Sequence, residues 1–282
     1  MQNLGIEFIS VFGMPPVDFV RLAHDLGVRY VTSALQPMDY NPHGYPSYTL
    51  PDPGTRRDML AAMADCGVSM SLGEGFMVQP GADVRETCAA DLEVMAELGV
   101  RRINSVTFEP DFQRNVEQFG RLAELASKFG IETLIEFVAI FAVGDLPTAH
   151  ALVREVARPD FRLLIDTMHV GRSGATAADL AAIDPALIGY IQLCDAPLKP
   201  TNPDYMDEAV HQRLVPGDGE LPLFDMLAAL PRDLIVGLEV PLRSEAEAGI
   251  GPHERLGRCL TAARELMARL AERATRPADG EA

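Results

Sequence analysis

Eight short apolar runs alternate with longer amphipathic stretches from one end of the chain to the other. The runs are Gly5–Ser10, Tyr30–Ser33, Val68–Leu72, Arg102–Val106, Thr133–Phe137, Arg162–Asp166, Ile188–Leu193 and Ile235–Val240. Each has the length and β-branched character of a strand. Between them Val17–Leu26 places apolar residues at Val17, Val20, Leu22 and Leu26, and Arg85–Leu98, Phe112–Phe129 and His150–Ala157 repeat that helical spacing. Four helical stretches close on glycine before the next run, in Leu26-Gly27-Val28, Cys66-Gly67-Val68, Leu98-Gly99-Val100 and Phe129-Gly130-Ile131. Glycine suits the left-handed residue that ends a helix.

The repeat, about 30–40 residues per βα unit, predicts an α/β protein with a closed (β/α)8 TIM barrel. With 282 residues in all, one large domain is expected over 1–274, ending in a helix near Glu254–Ala274, with 275–282 as a disordered tail. An open doubly wound sheet is the competing arrangement. It calls for a Gly-rich phosphate turn after the first strand, and Ser10-Val11-Phe12-Gly13-Met14-Pro15-Pro16 is not one.

A net charge of −17 repels phosphate backbones, so nucleic acid is not an expected partner. The absence of Trp argues against a stacking surface for bases. No apolar run is long enough to span a membrane, and the opening Met1-Gln2-Asn3-Leu4-Gly5 lacks the pattern of a signal peptide. A cytoplasmic location is therefore expected. Cys66, Cys88, Cys194 and Cys259 form no CxxC pair and read as reduced thiols.

Four runs carry a hard oxygen donor at or near their end: Glu136, Asp166, Gln192 and Glu239. In a barrel, adjacent strand ends lie about 4.8 Å apart. Three carboxylates and an amide there can converge on one divalent ion, Mn²⁺ or Mg²⁺, with Co²⁺ also compatible. The other reading of each is a buried carboxylate with a structural partner. His169, three residues after Asp166, is placed at the mouth beside the ion, to bind a substrate hydroxyl or carbonyl; otherwise it caps a helix. Arg213, before Pro216-Gly217-Asp218-Gly219, can meet a substrate oxyanion or merely anchor its loop. Glu7, in the first run, and Glu74, following the third, can also point into the mouth as substrate-binding groups. Tyr40, Tyr45, Phe76 and Phe137 are candidate wall residues, with packing the more ordinary role. The long connections Ala34–Gly54 and Ala196–Leu221 are expected over the mouth.

These segments resemble the xylose isomerase-like barrel superfamily of sugar phosphate isomerases and epimerases. The likeness is carried by Glu136 in IEF, Asp166 to His169 in DTMH, Gln192 to Pro197 in QLCDAP, Arg213 to Gly219 in RLVPGDG and Glu239 in GLEV. In that superfamily strand-end Glu, Asp, His and Glu bind a divalent ion, and the two glutamates also move the substrate proton. The resemblance thus implies Glu136, Asp166 and Glu239 as ligands and Glu136 and Glu239 as catalytic groups. Gln192 departs from the His that many members carry, and is similar to the QLADAP segment of 3-dehydroshikimate dehydratases. The endonuclease IV branch needs several more His ligands than this chain has. What the resemblance implies is a metal-dependent isomerase or epimerase of a small keto-sugar or polyhydroxy ketone, acting through a metal-bound enediolate. The alternatives are a lyase that dehydrates a 3-dehydroshikimate-like or inosose-like compound, and, in another class, a non-catalytic metal- or sugar-binding barrel or one subunit of a two-component enzyme. A homodimer or homotetramer is expected.

Overall fold

In the computed structural model, which describes residues 3–275, eight parallel strands pair in sequence order and close on themselves. They are β1 (Leu4–Ile6), β2 (Tyr30–Ser33), β3 (Ser69–Val78), β4 (Arg102–Thr107), β5 (Glu132–Glu136), β6 (Phe161–Asp166), β7 (Ile188–Leu193) and β8 (Val236–Leu238). The closing seam sets Leu4, Gly5 and Ile6 against Val236, Gly237 and Leu238. The expected (β/α)8 barrel is therefore the architecture found. Residues 276–282 of the expected tail lie outside the described residues. Among the described residues no helix is long and apolar enough to cross a membrane.

Side chains two apart on a strand share a face, so the inward positions stack in layers. At the amino-terminal end Arg102, Glu132 and Arg162 form an ion-paired floor, with Arg102 Nε 3.1 Å from Glu132 Oε2 and Arg162 Nη2 2.6 Å from the same oxygen. Two residues on, Leu134, Leu164 and Tyr190 join Leu72 in a small, fully buried apolar plug inside the barrel. Two residues further come Glu74, Glu136, Asp166 and Gln192, at the carboxyl ends. The larger core lies between the sheet and the helices. Hence the same inward phase that supplies the charged floor and the apolar plug delivers acids to the mouth.

The helices are punctuated as the sequence suggests. Asp52, Asp111 and Asp145 each accept a backbone N–H at the start of a helix. Gly67 closes the helix Pro53–Cys66 at φ 64°, and Gly27, Gly99 and Gly130 also have positive φ. Four boundaries need correction. β1 stops at Ile6, and Phe8–Val11 turns into a 3₁₀ helix whose Ser10 Oγ donates to Leu238 O, so Ser10 latches β8 instead of extending β1. β3 runs to Val78 through an irregularity between Gly73 and Phe76, where Gly75 has φ 94°. Glu74 therefore lies within the strand, not after it. The expected helix Arg85–Leu98 breaks at Cys88 into Val84–Thr87 and Ala89–Glu97. The final helix spans Pro252–Thr275.

Two glycines provide a paired test of the closure. A Cβ on Gly237 would overlap the Glu7 carboxylate and press on Tyr190 Oη. Gly120 sits mid-helix with open space around it. Gly237→Ala is expected to cost roughly 3 kcal/mol or more by overpacking, whereas Gly120→Ala should stabilise by about 0.5–1 kcal/mol. Denaturant unfolding of both variants checks this; equal, small effects would contradict the close approach at the seam.

Candidate metal centre

Seven polar residues from seven strands crowd the carboxyl end of the barrel: Glu7, Glu74, Asn104, Glu136, Asp166, Gln192 and Glu239. None exposes as much as a tenth of its surface. Register explains part of the convergence, since Asp166 pairs with Gln192 and Gln192 with Gly237 across β6, β7 and β8. Asp166 also caps the helix Thr167–Ser173, where its Oδ1 accepts the His169 N–H at 2.9 Å. That cap aims Oδ2 into the site and fixes the backbone of His169.

Glu136 Oε2 accepts from Asn104 Nδ2 at 2.6 Å, and the same nitrogen reaches Glu74 Oε2 at 3.0 Å. Glu136 Oε1 lies 3.3 Å from His169 Nε2. One ligand atom each from Glu136, Asp166 and His169 all fall within 4.8 Å of one another. Arg213 Nη1 pairs with Asp166 Oδ2 and lies 2.9 Å from Glu239 Oε2, the latter contact off hydrogen-bond alignment. Gln192 Nε2 faces Glu7 Oε2, Glu74 Oε1 and Glu239 Oε1 at 3.3–3.4 Å. Tyr190 Oη donates to Glu7 Oε1 at 2.9 Å.

Burial dominates the electrostatics. It pushes Glu7 up to about 7, against hydrogen bonds from Thr32, Tyr190 and Gln192. Glu74 is raised by burial and then by the charges of Glu7 and Glu136. Glu239 is raised by burial, with Arg213 opposing. Burial would raise Asp166 too, but Arg213 and His169 outweigh it and hold the carboxyl at about 2. Burial also keeps the Tyr205 phenol protonated. Its Oη lies 2.6 Å from His169 Nδ1, so it can donate there and leave the proton of a neutral imidazole on Nε2, facing Glu136.

Five buried carboxyl groups thus share one guanidinium. Three oxygens of the site, Asn104 Oδ1, Gln192 Oε1 and Glu239 Oε2, are buried without a hydrogen-bond donor. Orphaned oxygens amid hard donors are what a divalent cation satisfies, so the donor set fits one. The sequence reading set His169 beside the ion and Gln192 on it. In the structure His169 joins the tight cluster with Glu136 and Asp166, Gln192 presents its amide nitrogen to the acids, and Arg213 is buried between Asp166 and Glu239 instead of standing open to the mouth. Phe76 and Phe137 are core residues. Tyr40 packs edge-on against Phe12 and His211 and donates to Glu247.

Three participants escaped sequence reasoning. Asn104 sits two residues after Arg102 on the inward face of β4, a phase that alternation could have shown. Tyr205 belongs to a short helix, Tyr205–His211, inside a stretch that read as loop. Asp195, visible in QLCDAP but given no role, accepts the backbone N–H groups of Ala196, Gly217 and Leu221 at 2.8, 2.9 and 3.1 Å. It thereby clamps the turn that follows Arg213.

A family model described as "Xylose isomerase-like TIM barrel" matches residues 20–271. Similar solved structures include an IolI protein with a binding zinc atom (18% identity, TM-score 0.77, 96% of this chain and 98% of that one). D-psicose 3-epimerase in the presence of D-fructose is another (14%, 0.70, 94% and 99%). A third is the probable 3-DHS dehydratase AsbF of petrobactin synthesis from Bacillus anthracis (14%, 0.70, 90% and 98%). At such identities the likeness is one of fold. No curated protein matches the chain by sequence.

The raised Glu7 sets a pH dependence. Its folded value of about 7 exceeds the ordinary 4.5, so between those values the folded state holds a proton that the unfolded state has released. Its contribution to stability is full below pH 4.5 and is lost as pH rises through 7. In chelator, wild-type stability should fall relative to Glu7→Gln across pH 5–7.5, by about 2 kcal/mol. Parallel melting curves across that range would refute the buried, proton-holding Glu7.

Proposed function

Given that the chain belongs to the xylose isomerase-like TIM-barrel family, we propose that it is a divalent-cation-dependent isomerase or epimerase of a small keto-sugar or related polyhydroxy ketone. The observation that carries this reading is the pair Glu136 and Glu239. They are buried carboxyl groups from β5 and β8, three strands apart in the ring, with Asp166 and Gln192 between them. The residues that would hold the ion are Glu136, Asp166, Gln192 and Glu239, with His169 lying beside Glu136 and Asp166. Mn²⁺ or Mg²⁺ suits mostly oxygen donors. When bound, the ion supplies Lewis-acid polarisation of a carbonyl and its neighbouring hydroxyl.

The chain's own residues supply the proton chemistry. Glu136 accepts the proton from the carbon beside the carbonyl, its carboxylate oriented by Asn104. Glu239 works from the other side of the site, and burial raises its proton affinity toward that needed to act on a carbon acid near neutral pH. His169, its tautomer set by Tyr205, offers Nε2–H to a substrate oxygen. Arg213 takes the substrate's polar end, and Glu7 and Glu74 form an acidic floor for hydroxyl groups. Returning the proton to the other face of the same carbon is epimerisation; returning it to the neighbouring carbon is isomerisation.

A second reading is dehydration of a 3-dehydroshikimate-like or inosose-like ring, favoured by Gln192 in its QLCDAP segment. It shares the first proton removal and then expels a β-hydroxyl. Scaffolds of this shape carry both outcomes among the similar structures, an epimerase and a probable dehydratase.

The decisive experiment follows the Mn²⁺-loaded protein in D₂O by NMR with ketoses, inososes and 3-dehydroshikimate. Deuterium entering beside a carbonyl without loss of water is the expected result; a conjugated or aromatic product would replace the first reading with the second. No exchange with any of them would favour a binding barrel. Glu136→Gln and Glu239→Gln should each lower turnover by roughly 10²-fold or more, with the fold intact by circular dichroism. Rates near wild type in both would remove them from the proton transfer.

A further inference from the structure

Arg213 is almost fully buried and reaches four elements at once. Its Nε donates to Ala209 O at 2.6 Å, within the helix Tyr205–His211. Its Nη1 meets Asp166 Oδ2 at the end of β6, Glu239 Oε2 after β8 at 2.9 Å, and Cys194 Sγ after β7 at 3.3 Å. The remaining oxygens of the two acids are already turned to other donors. Asp166 Oδ1 accepts the His169 N–H, and Glu239 Oε1 faces Gln192 Nε2. The oxygens that would face a cation are therefore those that Nη1 covers.

We infer that Arg213 and a divalent ion are alternative counter-ions for Asp166 and Glu239. When the ion is bound, Arg213 gives up the two carboxylates and its guanidinium becomes available to the substrate's oxygen-rich or anionic end. This rests on the metal-dependent reading of the site. The reason is charge: a guanidinium and a divalent ion sharing two oxygens in a dry site repel strongly, whereas two buried carboxylates lacking either are costly. The movement is confined to the end of the side chain. The helix Tyr205–His211 is held by the buried Arg172–Glu208 pair, whose Nη2–Oε1 distance is 2.7 Å, and by Arg243, whose Nη2 donates to Asp207 at 2.8 Å.

Chelator-stripped wild type, Arg213→Met and Arg213→Lys are titrated with Mn²⁺ by calorimetry, and each is melted with and without saturating Mn²⁺. Arg213→Met is expected to bind Mn²⁺ roughly tenfold or more tightly than wild type. It should melt lower than wild type in chelator, with that gap closing in Mn²⁺ because only the ion-free state loses its counter-ion. Arg213→Lys keeps the charge without the forked reach and should lie between, so it carries the comparison if Arg213→Met unfolds in chelator. Equal or weaker Mn²⁺ affinity in the variants, or a melting gap unchanged by Mn²⁺, overturns the inference while leaving the metal site standing. Mn²⁺ binding to none of the three proteins overturns the metal-dependent reading itself.

Discussion

Inside a closed parallel barrel, a side chain that points inward has no water to turn to and only other inward side chains to meet. Everything at this site follows from that confinement. The seam between β1 and β8 brings Gly5 beside Gly237, and the bare backbone at Gly237 leaves the space into which Glu7 reaches. Tyr190, two residues before Gln192, rises from the apolar plug to meet the same carboxyl. The mouth is thus built from below: an ion-paired floor, a layer of leucines and one tyrosine, and above them acids whose positions are fixed by the residues beneath.

The acids are held apart by neutral amides as much as by charge. One nitrogen of Asn104 serves two glutamates, and one nitrogen of Gln192 faces three. An amide can bridge carboxyl groups without adding charge, so it orders them without neutralising them. The site keeps a strong preference for positive charge, which Arg213 meets only in part. A carboxylate layer of this kind suits chemistry in which a proton leaves carbon and must be taken up, held briefly and returned.

Much of this was legible in the sequence. The barrel order came from the alternation of runs and amphipathic stretches, because each βα unit makes its own contacts locally. Glu136, Asp166, Gln192 and Glu239 were legible because each breaks an apolar run at or near its end. Asn104 was harder to single out, since Arg102–Val106 mixes polar and apolar residues and only the phase set by Arg102 distinguishes it. The short helix Tyr205–His211 was not legible, because seven residues carry too little periodicity to separate from loop. The inward turn of Arg213 depends on contacts remote in sequence: the isolated bridges Asp195–Leu214 and Gln212–Leu242 swing the segment across the mouth. Local pattern can suggest that an arginine is functional, but which way it faces is settled by the strands it crosses.

The clamp at Asp195 has a consequence for how such barrels diversify. Its two oxygens are taken up by backbone N–H groups from Ala196, Gly217 and Leu221, and a side chain at Gly219 would collide with it. The stretch after β7 and the turn beyond Arg213 are therefore one cassette, not two loops. Recombining this barrel with a relative would work with the whole of 192–221 exchanged together. Splitting the cassette would strand three backbone donors and misplace the arginine that the turn supports, so a crossover inside it would be purged whatever the substrate.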